Sequence, residues 1–153
     1  MLTVSLHPGS RDALAALFSE ADDSEREIAS YRDLGEVLVG RDEGGIVGHV
    51  QIVAAAEAGT FELKSLAVHE TKRSQGIGTA LVEAALSHCR DQGGRLILVA
   101  TAAASTDALK FYQRRGFRIR RIIRDFYNPA RGYRPLMVNG IPLLDEVILD
   151  LEL

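Results

Sequence analysis

Between Phe61 and Ala100 the chain runs apolar, turns through two glycines, continues amphipathic, and becomes apolar again. The first run, Leu63 to Val68, leads into Lys72-Arg73-Ser74-Gln75-Gly76-Ile77-Gly78-Thr79-Ala80, and Ile77 to Arg90 has helical periodicity. Gly93-Gly94 breaks that helix, and Arg95 to Ala100 shows no alternation, as expected of a strand covered on both faces. A strand, a helix and a second strand in this order imply a right-handed crossover with the strands parallel. The centre of the fold is therefore set here. The turn also constrains chemistry. Gly76 and Gly78 let backbone N–H groups approach a ligand closely. The helix behind them adds unpaired N–H groups and the positive end of its dipole, which suits a phosphate-bearing ligand.

The flanking sequence predicts one domain over residues 1–153. Leu2 to Leu6 alternates as a strand, Ser10 can cap a helix carrying Ala13, Leu14, Leu17 and Phe18, and Ser24 with Glu27 has capping-box spacing for a second helix. Val37 to Val39 and Ile46 to Ala56 read as a hairpin, followed by Phe61 to Val68. Beyond the crossover, Ser105 opens a helix with Leu109, Phe111 and Tyr112, and Phe117 to Phe126 is an arginine-rich strand. Asn128 to Gly140 reads as an irregular arm, and Leu143 to Leu153 as a last strand with Leu143, Val147, Leu149, Leu151 and Leu153 on one face. The expected class is α/β: a mostly antiparallel mixed sheet with a parallel central pair, flanked by helices.

A formal net charge of -3 gives no general pull toward nucleic acid or anionic membranes. No apolar stretch approaches the ~20 residues of a membrane helix, and no secretory signal is read at Met1 to Pro8, so a cytoplasmic protein is expected. Cys89, the single cysteine, lies in phase with Leu81, Ala85 and Leu86 and reads as a small buried hydrophobe. The four histidines lack metal-ligand spacing, and no metal is expected.

The glycine turn lacks the Gly-Lys-Ser/Thr ending of a nucleotide P-loop. It also lacks the third glycine of a dinucleotide fingerprint, since position 81 is Leu. Arg73-x-x-Gly76-x-Gly78 after Leu66-Ala67-Val68 resembles instead the acetyl-CoA pyrophosphate loop of the GNAT superfamily of N-acetyltransferases. Phe111-Tyr112-Gln113-Arg114-Arg115-Gly116-Phe117 is similar to the later Tyr and Gly-Phe pattern of that family, and the inferred element order agrees over essentially the whole chain.

The resemblance implies an acetyl-CoA-dependent N-acetyltransferase acting on a primary amine of a small molecule or peptide. Leu66, Ala67 and Val68 would pair with the pantetheine arm, and Arg73, Ser74, Gln75, Gly76, Ile77, Gly78 and Thr79 would hold the pyrophosphate, with Lys72 and Arg73 as exposed cations beside it. Ser105 stands where the family often has Asn: it either contacts the arm or only caps its helix. Tyr112 would protonate or orient the CoA sulfur, or else is a core aromatic. A free lysine amine has a pKa of about 10.4, so an amine acceptor needs a base. Glu62 is the candidate, against the alternative of a solvated carboxylate paired with Lys64, and Glu57 is the fallback.

Arg118, Arg120, Arg121, Arg124, Arg131 and Arg134 are read as a charged face balanced by Glu146, Asp150 and Glu152 rather than as a nucleic-acid surface. Asp145 falls in phase with buried leucines, and is expected to pair with an arginine of the preceding strand or to bind the acceptor. Tyr133, on the arm, is placed with it at the acceptor pocket. The apolar last strand suggests a homodimer. A non-catalytic acyl-CoA-binding sensor and, further off, a transferase acting on charged tRNA are the competing functions.

Overall fold

A computed structural model describes residues 1–153. The strands are β1 (Thr3–Leu6), β2 (Glu36–Asp42), β3 (Gly45–Ala54), β4 (Thr60–Val68), β5 (Leu96–Ala102), β6 (Arg118–Ile123), β7 (Met137–Val138), β8 (Ile141–Pro142) and β9 (Glu146–Glu152). The helices are α1 (Ala15–Ala21), α2 (Glu25–Tyr31), α3 (Ile77–Asp91) and α4 (Thr106–Arg114). Seven strands form one sheet in the order β1-β2-β3-β4-β5-β9-β6, in which only β4 and β5 are parallel. The predicted mixed sheet with its crossover through α3 is therefore present.

Two apolar clusters hold the layers together. One face of the sheet packs Leu38, Val50, Leu63, Ile97 and Leu149 against Ile77, Leu81, Val82, Ala85 and Cys89 of α3 and Tyr112 of α4. Ile77, Leu81, Ala85 and Cys89 recur every four positions with Val82 beside them, so α3 lays one stripe on the sheet. Leu81, fully buried, contributes about 1.5–3 kcal/mol by burial alone. Cys89 is in this core, and burial pushes its thiol up to about 11. The other face is covered by Leu14, Leu17, Phe18, Ile28 and Tyr31.

The apolar strand at the C-terminal end, β9, is an interior strand between β5 and β6, with Leu149 buried in the core and Leu151 packed against it. Two expectations change. The arm is partly ordered: Pro129–Arg131 is a short 3-10 turn, and Asn139 and Gly140 (φ 53° and 74°) close the β7–β8 hairpin. Both central residues being left-handed is what an Asn-Gly hairpin turn requires. The arginine-rich strand is shorter than expected, and Arg120 bonds Asp150 at 3.0 Å.

The arm is fastened to α2. The Ser24 hydroxyl accepts the Glu27 N–H (3.1 Å), as the capping spacing predicted, and donates to the Arg131 carbonyl (2.7 Å). Gly132 (φ 87°) lies so close that a Cβ there would come within 2.6 Å of Ser24 Oγ. This contact brings Tyr133 to the end of α1.

Candidate active site

The parallel pair does not stay paired. Register runs from Thr60–Leu96 to Leu63–Val99 and stops, while β4 continues to Val68 and β5 to Ala102. A bulge contributes, because Gln51 pairs with Ser65 and Ile52 with Leu63, leaving Lys64 extra in β4. Extra residues of this kind bend a strand and raise its twist. The diverging strands leave a cleft of about 290 Å³, lined by Glu62 to Leu66, Val99 to Ala102, Ser105, Ala108 and Tyr112 on one side. Asp22, Glu27, Tyr31, Phe126, Tyr127, Tyr133 and Glu146 close the other side.

The open edge of β4 is specific about which backbone groups it offers. The His69 N–H donates to the Val47 carbonyl across β3. Hydrogen-bonded pairs alternate along an antiparallel ladder, so Ala67 turns its amide and carbonyl to His49, whereas Leu66 and Val68 turn theirs away from β3. Of the expected three, Leu66 thus presents a free amide and carbonyl and Val68 a free amide where β5 has left, the Val68 carbonyl accepting from Arg73 Nε. An extended amide ligand could pair there as an added strand.

At the end of β4 the chain reaches the glycine turn. Ser74 (φ 62°) and Gly76 (φ 81°) are both left-handed, and Gly76 is the N-cap of α3. No side chain caps the helix, so the first-turn N–H groups of Ile77, Gly78 and Thr79 stay available to an anion. Arg73 is exposed, as expected, Lys72 partly so, and both are paired. Lys72 bonds Asp42 (3.1 Å), and Arg73 is tied to Glu20 of α1 and to the Val68 carbonyl. A further cation, Arg115, which was not expected here, contacts the first turn of α3. It bonds Thr79 Oγ1 and the Phe111 carbonyl (2.9 Å) and stacks 4.0 Å from the Phe111 ring.

Tyr112 is 7% exposed, edge-on to Phe111 and Phe117, and its hydroxyl takes no hydrogen bond within the chain. Burial pushes its pKa up, so the hydroxyl keeps its proton. It is both a core aromatic and a cleft residue. Ser105 sits at the N-cap position of α4 but makes no capping bond, and it faces the cleft. Asn139 from the hairpin instead donates to the Ala104 carbonyl (3.1 Å) at this helix start.

The carboxylates separate. Glu62 lines the cleft with its side chain 34% exposed and lies 3.5 Å from Lys64 Nζ. Glu57 is on the β3–β4 turn, in a different depression with Arg95 and Glu152, away from the open end of β4; it is not a cleft residue. Asp145 precedes β9, and neither of its expected roles holds. Its Oδ1 accepts the Asp125 N–H (2.9 Å), securing a left-handed residue (φ 56°), and it does not line the cleft. Glu146, expected on a solvated face, is instead 8% exposed and turned into the cleft. Burial pushes its carboxyl up to about 7. Alternation alone put Glu146 opposite Val147; that this face is roofed by the arm is a tertiary fact.

Asp22 was likewise not foreseen. It accepts from Tyr133 Oη (2.7 Å), Tyr31 Oη (2.9 Å) and the Ser24 N–H (3.0 Å), joining α1, α2 and the arm. Burial, then the Asp22 carboxylate, push both tyrosine hydroxyls up. Tyr127 packs edge-on to Tyr133 at 4.9 Å, completing an aromatic wall.

The family model described as "Acetyltransferase (GNAT) family" matches residues 7–117, from the end of β1 to the start of β6. The chain belongs to the GNAT acetyltransferase family. An uncharacterized N-acetyltransferase of Bacillus subtilis (strain 168), YvbK, is 31% identical over 99% of this chain and 97% of its own. A GNAT family acetyltransferase from Elizabethkingia anophelis, solved with acetyl-CoA bound, superposes with a TM-score of 0.91 at 28% identity, covering 99% of this chain and 98% of that one. A Bacillus subtilis acetyltransferase in complex with CoA gives 0.90 at 29% identity, covering 100% and 99%. The GNAT chain described here is accordingly an acetyl-CoA-dependent acyltransferase, and its uncapped helix start and open β4 edge fit a pyrophosphate and an amide-bearing arm. No three His, Cys, Asp or Glu side chains converge as a metal would need, and no helix is long and apolar enough to cross a membrane.

Proposed function

We propose that this GNAT enzyme transfers the acetyl group directly to a primary amine of a small molecule or peptide. The observation that carries this reading is the cleft itself, which joins the free β4 edge and the Tyr112 hydroxyl to a separate acidic and aromatic wall. Donor and acceptor can then meet without a covalent enzyme intermediate. Acetyl-CoA supplies an activated thioester. The chain's own residues do the rest.

The backbone N–H groups of Leu66 and Val68 hold the arm and polarise the carbonyl oxygen, Val68 being the nearer to the glycine turn. Ser74 to Thr79, with Arg73 and Arg115 beside them, take the pyrophosphate. Glu62, whose carboxylate lies 3.5 Å from Lys64 Nζ, accepts the proton that the amine gives up. The amine nitrogen bonds to the carbonyl carbon, the carbon–sulfur bond breaks, and the sulfur gains one proton for the one that nitrogen lost. Tyr112, held neutral by burial, donates a hydrogen bond to that sulfur and relays its proton.

Thiol release from acetyl-CoA across a panel of amines, with the acetylated product identified by mass, tests the reading. Release with several primary amines and none with their N,N-dimethyl analogues is expected. Tight acetyl-CoA binding with no release on any amine would replace it by the sensor function.

A further inference from the structure

Six carboxylates line the cleft, Glu20, Asp22, Asp23, Glu27, Glu62 and Glu146, against one lysine, Lys64. Most are already satisfied. Glu20 is paired with Arg73, Glu27 with Arg131 (3.4 Å), and Glu62 with Lys64, while Asp22 is clamped by two tyrosine hydroxyls. Asp23 is exposed at the rim. Glu146 is different: it is more than nine-tenths buried, faces the cleft, and has neither a hydrogen bond nor an ion pair within the chain. Lys64, Arg121 and Arg131 act on it only at a distance, and Glu62 opposes its charge. A buried carboxylate without a partner is costly, and such groups ordinarily have a reason to be kept.

The wall around it is suited to cations. Lys64 Nζ lies 4.9 Å from the centre of the Tyr31 ring, and the Arg131 guanidinium 4.0 Å from that of Phe126. The neighbouring Tyr127 and Tyr133 rings carry no cation of the chain's own. Aromatic faces beside a buried carboxylate form a favourable seat for an ammonium group.

We propose that the acceptor carries a second cationic group besides the amine that is acetylated, and that Glu146 with the Tyr127 and Tyr133 rings receives it. The class so described is small aliphatic diamines, and a cleft of about 290 Å³ suits a ligand of that size. This rests on the amine-acetyltransferase reading above. The reacting nitrogen must be neutral, so a monoamine brings Glu146 no charge, whereas the far ammonium of a diamine does.

The test compares putrescine with butylamine and cadaverine with pentylamine, by thiol release and by calorimetry on the same enzyme. For each pair kcat/KM should favour the diamine by about tenfold to a hundredfold, the range of one charge-assisted hydrogen bond. E146Q should bring that ratio to about one, and E146D, which retains the charge, should keep part of it. Equal rates for diamines and monoamines, an unchanged ratio in E146Q, or a faster peptide amine with no second cation would each overturn the proposal. Calorimetry separates the two levels. Release with no amine at all refutes the acetyltransferase reading, and putrescine binding tighter than butylamine, abolished in E146Q, still decides for or against the subsite.

Discussion

The two sides of the cleft are built in opposite ways. The donor side is nearly continuous in sequence: β4, the glycine turn and the start of α3 run from Leu63 to Thr79, and what they offer is mostly backbone. The opposite side, where the acceptor is proposed to bind, gathers Asp22, Tyr31, Tyr127, Tyr133 and Glu146 from four separate parts of the chain, and what it offers is side chains. Backbone recognition needs only the right φ and an unpaired ladder. It tolerates many sequences. Side-chain recognition depends on how α1, α2 and the arm pack, so it is free to vary with the acceptor.

Substitutions on the two sides should affect different kinetic constants. The largest effect is expected for Tyr112→Phe, which sits where the sides meet. Turnover should fall about a hundredfold while acetyl-CoA affinity by calorimetry changes little, because the phenyl ring keeps the core packing with Phe111 and Phe117. Gly76→Val follows. A β-branched residue is strained at φ 81°, so KM for acetyl-CoA should rise about tenfold or more with KM for the amine nearly unchanged. Equal changes in both constants would erase the distinction between the sides.

Asp22→Asn is the mirror experiment. It removes the charge that holds the Tyr31 and Tyr133 hydroxyls, so KM for the amine should rise about fivefold and the protein should lose about 1–2 kcal/mol in urea unfolding. KM for acetyl-CoA should stay.

Glu146 gives a stability signature that needs no substrate. Its folded value, about 7, lies above the ordinary carboxylate value, so the folded state binds the proton more tightly than the unfolded one. The stabilisation is complete below the unfolded pKa and is lost as pH rises through about 7. Urea unfolding of the free enzyme should show a decline of about 1–3 kcal/mol between pH 5 and 8, which Glu146→Gln flattens. The smallest effect belongs to Asp145→Asn, which keeps an oxygen for the Asp125 N–H: stability should change by less than about 1 kcal/mol, and amine KM should not move. A large rise in amine KM there would return Asp145 to the acceptor pocket.

Much of this protein could be read before folding it. The crossover was legible because Gly93-Gly94 and the two apolar runs leave α3 no other place, and the helical stripe through Leu81, Ala85 and Cys89 says which face it buries. The donor turn was legible because a left-handed residue and an uncapped helix start announce themselves through glycine. Tyr112 was legible through its spacing from Gly116-Phe117. Asp145 and Glu146 show where this ends. Alternation along β9 assigns faces relative to neighbours, and it made Asp145 the inward carboxylate; the strand begins at Glu146, three residues after the expected Leu143, so Asp145 lies before it and Glu146, on the face opposite Val147 and Leu149, is the buried one. Which face meets water depends on what covers the sheet.

The sequence by itself determined the crossover and the backbone cradle, because these follow from local conformation, and its resemblance to the GNAT family implied the donor. Only the tertiary structure decided where the parallel pair parts, that Lys64 is the extra residue at the bulge, and that the arm clips onto Ser24 to roof Glu146. These are long-range contacts, between residues up to about a hundred positions apart, and the free energy that selects them comes from shape and burial that no local pattern encodes.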